Sequence, residues 1–232
     1  MGQLEARSAV VTGTAQGIGR AIADTLAMAG AEVHRVDREQ VDLSDASATA
    51  EYLRGIGDID ILVHSAGGVC GQTYSAIEDV TDEDWDAVVD ANLRTAFNVV
   101  RAVAPGMKQR GFGRIVTISS GAGRSVSLTG VQAYTSAKAG LIGFTRQIAW
   151  ELGPHGVTAN CIAPGFVLSN PTTQKQWESY GPAGQSALVA KIATRRTGLP
   201  EDIARGALFF VEPAADWVSG QTLSIDGGHS FF

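Results

Sequence analysis

Apolar residues along the chain repeat in two rhythms, and the rhythms alternate. Strand-length runs at Ser8–Val11, Glu32–Val36, Ile59–Val63, Arg114–Ser119 and Val157–Ile162 predict β-strands. The third is apolar but for Asp60, which suits a central parallel strand. Between them the spacing lengthens to that of helices. Ile22, Leu26 and Ala29 form a stripe that Gly30 ends. Ala46–Leu53 follows, with Ser44 as its expected N-cap. Trp85, Val88, Val89 and Leu93 continue a helix that opens on an acidic turn capped by Thr81. Ala139–Leu152 is long and apolar, and Pro200, Glu201 and Asp202 open another helix. Strands that alternate with helices over the whole length predict an α/β protein with a parallel sheet.

Composition narrows this picture. A length of 232 residues suits a single domain, 1–232, and an apolar share of 44% with 28 glycines fits many tight turns. The net charge of -6 and the scattered Lys and Arg argue against a nucleic-acid binder with a basic face. Cys70 and Cys161 form neither a metal spacing nor a disulfide framework, which fits a reducing compartment; no metal is expected. The opening MGQLEARSAVVTG lacks an apolar core behind basic residues, and no apolar run reaches about 18 residues. No signal peptide and no membrane span are expected, and the cytoplasm is the expected location.

Chemistry enters at Thr12–Gly30, TGTAQGIGRAIADTLAMAG. Gly13, Gly17 and Gly19 sit where a strand turns into a helix, so the backbone can approach a ligand and the helix start can face an anion such as pyrophosphate. A second strand follows, and Asp37 ends it 18 residues past Gly19. A carboxylate there can accept the ribose hydroxyls of NAD and would repel the extra phosphate of NADP. Asp37 could also be a turn residue, and Arg38 beside it could pair with that phosphate. A second cluster lies at Ile115–Lys138. Tyr134 and Lys138, four apart, share one face of a helix, where they are either ordinary surface residues or a working pair. A phenol titrating near ~10 needs a shift of roughly three units to act as a base at neutral pH, and an adjacent ammonium pushes it that way.

With these residues the sequence resembles the short-chain dehydrogenase/reductase family, classical type, over essentially its whole length. The cofactor motif TGxxxGxG is matched by Thr12-Gly13-Thr14-Ala15-Gln16-Gly17-Ile18-Gly19. The resemblance implies a Rossmann-type doubly wound parallel sheet, helices on both faces, and a nicotinamide cofactor. It places Gly13, Gln16, Gly17, Ile18, Gly19 and Asp37 on that cofactor, with Asp42 and Leu43 over the adenine and Ala66 and Gly67 alongside. Pro164, Gly165, Val167 and Ser169 stand at the nicotinamide end; Ser169 replaces the usual Thr. It gives Tyr134 the role of general base, and Lys138 that of lowering the Tyr134 pKa and binding the nicotinamide ribose. Ser120 holds the substrate oxygen, and Asn92 kinks its helix and carries a water relay. The long helix Ala139–Leu152 implies packing with a second copy, as a dimer or tetramer.

The chain also departs from the family. The Asp-Val-type element, here Asp42-Leu43, comes only five residues after Asp37, whereas a crossover between parallel strands needs about ten or more. A helix and an edge strand are missing or reduced, so six strands are expected, or seven with a vestigial edge. His64-Ser65 stand where Asn-Asn is usual, and the strand end suits His64 to a structural hydrogen bond. The family's serine-to-tyrosine spacing would land on Gly121; Ser120 lies one residue farther, implying an insertion within Gly121–Val131. Ser119 is the competitor, which strand alternation points the other way. Residues 170–197 are the least family-like. Their Pro and Gly suit a movable lid over the substrate, with Trp177 and Tyr180 lining a pocket or packing the lid. Arg124 and Lys175 could attract a carboxylate or be solvated charges. The apolar end Phe231-Phe232 could bury against a neighbouring subunit.

The expected activity is an NAD-dependent oxidoreductase of a secondary alcohol or ketone, with a sugar, polyol or hydroxy acid as the preferred substrate class. NADP is disfavoured. The alternatives are a reductase of 3-oxoacyl thioesters and a catalytically silent nucleotide-binding protein. Against the latter, Asn92, Ser120, Tyr134 and Lys138 are all present.

Overall fold

Alternation within each short apolar run divides its side chains between two cores. Ala9, Val11, Ile61, Val63, Val116, Ile118 and Ile162 face one side of the sheet. Val10, Leu62, Ile115, Val157 and Ala159 face the other. This is how a sheet covered on both faces distributes a period of two. The structure, a computed structural model, describes residues 3–231, so Met1, Gly2 and Phe232 lie outside the described residues, and the expected burial of the C-terminal pair is undescribed at Phe232. Phe231 itself is exposed.

The strands are β1 (Ser8–Thr12), β2 (Glu32–Val36), β3 (Ile61–His64), β4 (Gly113–Ile118), β5 (Val157–Pro164) and β6 (Thr222–Ile225). All pair in parallel, in the order β2-β1-β3-β4-β5-β6. The helices are α1 (Gly17–Met28), α2 (Ala46–Ile56), α3 (Asp82–Val89), α4 (Thr95–Arg110), α5 (Gln132–Leu152), α6 (Pro171–Ser179), α7 (Gly181–Lys191) and α8 (Pro200–Val211). α1 and α8 give Ile22, Leu26, Ile203 and Phe210 to the first core. α2, α4 and α5 give Leu53, Val99, Val103 and Ile148 to the second. Among the described residues, no helix is long and apolar enough to cross a membrane. The chain leaves β1 for β2 on one side and returns for β3 on the other, so the strand order reverses at β1. Ligands of open α/β sheets bind in the crevice at such a point, outside the carboxyl ends of the strands.

The sheet has six strands among the described residues, as the short segment after Asp37 predicts. Residues 37–45 form a loop whose Val41 and Leu43 turn into the second core. One expectation here is corrected. Asp45, not Ser44, caps α2: its carboxylate accepts the N–H groups of Ser47 at 2.8 Å and Ala48 at 2.9 Å. Ser44 instead donates its N–H and hydroxyl to Asp42. Asp45 stands directly before the first helical residue, where a cap must stand.

The segment after β5 also differs from expectation. Residues 170–197 are mostly helical rather than a loop. Asn170 and Thr173 form a reciprocal cap, and Pro171 fits the first helical position. Gly181, with φ of 59°, divides α6 from α7. Val167 forms a parallel bridge to Gly198, so both ends of the segment are tied together.

Candidate active site

The glycine turn leads from β1 into α1. Gln16 at the cap makes no side-chain cap bond, and the first turn carries no acid. The N–H groups of Gly17, Ile18 and Gly19 therefore have no acceptor within the helix and face outward as an anion site. Gly17 has φ of +58°, and a Cβ there would lie 2.6 Å from the Ser169 carbonyl. That approach brings Ser169 to the glycine turn. Asp37 closes the same crevice from β2. Its carboxylate accepts the Ala15 N–H at 2.7 Å and the Arg38 N–H at 2.8 Å. It is held beside the turn and not directed into solvent. Asp42 is exposed, and Ser44 holds its carboxyl below the usual range. Leu43 is 6% exposed, and its side chain packs into the second core.

β3 ends in a buried polar chain centred on His64, which is 0% exposed. The Thr12 hydroxyl oxygen accepts N–H groups from Ser65 at 3.1 Å and Ala66 at 3.2 Å. Its two lone pairs are then filled, so its own hydrogen goes to His64 Nδ1 at 3.0 Å. The proton on the ring therefore sits on Nε2, which donates to Thr95 Oγ1 at a long 3.3 Å. Thr95 passes its hydrogen to the Ala91 carbonyl at 2.9 Å. Burial, with the Lys138 charge in support, lowers the His64 pKa to about 3. His64 is thus a neutral, fully bonded ring. A catalytic acid or base would need access that it lacks.

Asn92 lies in a π-turn, Asp90–Arg94, between α3 and α4. Its side chain donates to the Val88 carbonyl at 2.7 Å, the acceptor that its own backbone N–H would use in an α-helix. The ladder widens by one residue there. The same amide donates to the Gly68 carbonyl at 2.7 Å and accepts the Gly68 N–H at 3.0 Å. Gly67, with φ of +134°, passes so close that a Cβ would lie 2.4 Å from Asn92 Oδ1. Ala66 and Gly67 are therefore fixed between Thr12 and Asn92.

Past β4 the two serines separate. Ser119 is buried and donates to the Lys138 carbonyl at 2.8 Å. Ser120 has extended backbone, accepts the Ala122 N–H at 3.1 Å, and stands near enough to the Tyr134 phenol to favour its ionised form. Tyr134 lies in the first turn of α5, with Lys138 one turn on. Lys138 Nζ sits 5.7 Å from the Tyr134 ring centroid and donates to the Ile118 carbonyl at 2.9 Å. Burial lowers the Lys138 pKa to about 8. The phenol moves up from its usual value, because burial outweighs the opposing effect of the nearby Ser120 hydroxyl. The lowering that the Tyr-Lys spacing predicts is therefore reversed in direction here. The consequence is a phenol that carries its proton at neutral pH. Ser120→Ala is expected to cut kcat by about 10²–10³-fold, the scale of one lost oxyanion donor. Ser119→Ala should leave kcat within about threefold and cost about 1 kcal/mol of stability. Steady-state rates with thermal melts check both, and the reverse order would put the serine at 119.

Pro164 ends β5, and Gly165, Phe166 and Val167 lead toward Ser169. Phe166 stacks against Trp177 at 5.8 Å and Tyr180 at 5.9 Å. Those two aromatics thus pack α6 onto the Pro-Gly turn, and nothing in the sequence marked Phe166 as their partner. Arg124 is no free charge: it donates to the Thr222 carbonyl and the Ser224 hydroxyl, tying the Gly121–Val131 loop to β6. Lys175 is exposed. Thr12 and Thr95 were legible only as a strand end and a helix residue, since 31 positions separate Thr95 from His64.

Comparisons with known proteins show the family. The family model described as short chain dehydrogenase matches residues 7–54, and that described as enoyl-(acyl carrier protein) reductase matches residues 40–230. The chain is 35% identical to a D-beta-hydroxybutyrate dehydrogenase of Cupriavidus necator, over 97% of this chain and 98% of the relative. It is 31% identical to the 3-oxoacyl-[acyl-carrier-protein] reductase FabG of Escherichia coli, over 97% of each. Among solved structures, a protein of Agrobacterium tumefaciens assigned as a gluconate dehydrogenase superposes with a TM-score of 0.89 at 31% identity, covering 99% and 98% of the two chains. Another from that organism, assigned as a 2-deoxy-D-gluconate 3-dehydrogenase with bound NADP, gives 0.88 at 34% over 97% of each. A 3-oxoacyl-[acyl-carrier protein] reductase from Brucella melitensis with bound NAD gives 0.86 at 29%, over 98% and 92%. The chain belongs to the short-chain dehydrogenase/reductase family, whose members are oxidoreductases of hydroxyl and keto groups that use a nicotinamide cofactor.

Proposed function

We propose that this chain is an NAD-preferring dehydrogenase of a secondary alcohol, or the reductase of its ketone. A small polar substrate, such as a sugar, polyol or hydroxy acid, is the preferred class. The observation that carries the reading is that Ser120, Tyr134 and Lys138 stand at the same carboxyl edge of the sheet as the glycine turn that Asp37 closes. NAD, when bound, supplies the hydride carrier. Gly13, Gln16, Gly17, Ile18 and Gly19 would hold its pyrophosphate, and Asp37 its adenosine ribose. Ala66, Gly67, Pro164, Gly165, Val167 and Ser169 would flank the remainder. Ser120 holds the substrate oxygen. Tyr134 Oη gives that oxygen a proton in reduction and takes it back in oxidation. Lys138 and the π-turn at Asn92 lead the proton away. Segment 170–197 serves as the lid.

The hydroxybutyrate and gluconate activities named for relatives support a small polar substrate. A second reading, reduction of a 3-oxoacyl thioester, draws on the FabG likeness. Asp37 does not dispose of it, since a relative of that name binds NAD. An oligomer, dimer or tetramer, belongs to the proposal: Phe97 and Trp150 on α4 and α5, and Phe209 and Trp217 near the last strand, are large exposed apolar groups. Light scattering should give more than one chain's mass.

A titration tests the cofactor, and a substrate screen separates the two readings. Fluorescence titration should show NAD binding at least about tenfold tighter than NADP, on the scale of one unfavourable charge pair. A screen of polyols, sugars, hydroxy acids and 3-oxoacyl thioesters with both cofactors then identifies the substrate class. Tighter NADP binding would overturn the Asp37 argument, and turnover confined to thioesters would favour the second reading.

A further inference from the structure

His64 is a buried imidazole for which the hydride-transfer chemistry has no use, yet each of its nitrogens is engaged. On one side, Nδ1 takes the hydrogen of Thr12, whose oxygen in turn gathers the N–H groups of Ser65 and Ala66. On the other, Nε2 reaches Thr95, which is bonded to the Ala91 carbonyl inside the turn that bears Asn92. Beside the Asn92–Gly68 pair, the ring makes a second tie between the strand end and the helix, and among the described residues no bond from backbone to backbone joins the two. Every bond in the chain has one direction, fixed by the two N–H groups already on Thr12, so the tie has a single register.

We propose that His64 is a positioning residue of the hydride-transfer site: through Thr12 and Thr95 its ring fixes the π-turn of Asn92 against the strand end that holds the cofactor. This rests on the dehydrogenase reading. The ring's two arms can be cut separately, because an Asn side chain reaches as far as Nδ1 and a Gln side chain as far as Nε2. His64→Asn keeps the bond to Thr12 and releases Thr95. His64→Gln keeps Thr95 and releases Thr12. Thr95→Val removes the far hydroxyl at constant shape.

The test measures amide hydrogen exchange on each full-length variant, together with kcat and KM for NAD. His64→Asn should speed exchange at residues 91–95 and lower kcat, each by roughly tenfold, the scale of one lost buried hydrogen bond, with KM for NAD within about twofold. Thr95→Val should do the same, and the double variant should be no worse than either single one. His64→Gln should leave exchange at residues 91–95 near wild type, loosen Ser65 and Ala66, and raise KM for NAD with kcat retained. Wild-type exchange at residues 91–95 in both His64→Asn and Thr95→Val overturns the proposal, as do losses that multiply in the double variant. Should His64→Asn not fold, the isosteric Thr95→Val decides. A wild-type chain with no turnover on either cofactor sinks the dehydrogenase reading alone, and the exchange measurements still decide the tie.

Discussion

Tyr134→Phe is expected to stop turnover while leaving the cofactor site near normal. The substitution removes one oxygen and keeps the ring, so packing around the start of α5 is preserved. The lost group is the one that gives or takes the substrate proton, and removing a general acid–base group costs about 10²–10⁴ in kcat. The NAD dissociation constant, read by fluorescence, should stay within about threefold, because the variant leaves the glycine turn and Asp37 intact. Turnover at the wild-type rate would refute the mechanism. The raised phenol pKa adds a direction to this result. At neutral pH the phenol holds its proton, which suits donation to a ketone oxygen. In the oxidative direction the same group must first lose that proton, so the oxidative rate of the wild type should climb with pH above neutrality. That climb should be absent from whatever activity Tyr134→Phe retains.

Lys138→Met is expected to abolish activity and to raise stability. Burial takes the Lys138 pKa from 10.5 to about 8. At pH 7 the ammonium is charged in both the folded and unfolded chain, so the folded state bears the whole cost of burying it. At about 1.4 kcal/mol per unit that cost is on the order of 3 kcal/mol. It fades as pH rises from about 8 to 10.5, where the unfolded chain binds the proton and the folded one does not. Met fills a similar volume without charge, but leaves the Ile118 carbonyl without its donor, a loss of about 1 kcal/mol or more. A net gain of about 1–2 kcal/mol corresponds to a rise in Tm of about 3–6 °C for a chain of this size. Calorimetry at pH 7 checks the sign, and a fall in Tm would mean that the ammonium is better compensated than its surroundings indicate. The gain should shrink at pH 10. A site residue that costs stability where it stands is the usual mark of a position kept for its chemistry.

Much of this was legible in the sequence because the signals were local. The glycine turn, its strand and its helix lie within one short stretch, and Asp37 follows at a fixed remove. The missing strand could be counted from the nearness of Asp42 to Asp37, since chain length limits what a crossover can contain. Spacing to Tyr134 led to the Ser119-Ser120 pair and alternation chose between them, and the structure turns Ser119 inward to the Lys138 carbonyl. Signals that depend on competition between neighbours were less legible. Ser44 and Asp45 are both good caps, and only the helix start chooses between them. Pro171 and Gly181 read as breakers, yet one occupies a helix start and the other merely divides two helices. The phenol's pKa could not be read from its spacing to Lys138, because burial acts on it in the opposite direction. The Thr12–His64–Thr95 chain joins three distant stretches, and no pattern along the sequence announces it.

The short segment after Asp37 also leaves β2 as the outermost strand, paired among the described residues with β1 alone. A strand with one free side is a template on which another molecule's strand can grow, the first step toward insoluble assemblies. This edge is five residues long and carries charge along it. Glu32 and Arg35 are exposed, and Arg35 is held by Asp24 at 2.7 Å. A chain shortened here must guard its own margin, and a brief, charged strand does so where a longer apolar one would invite aggregation.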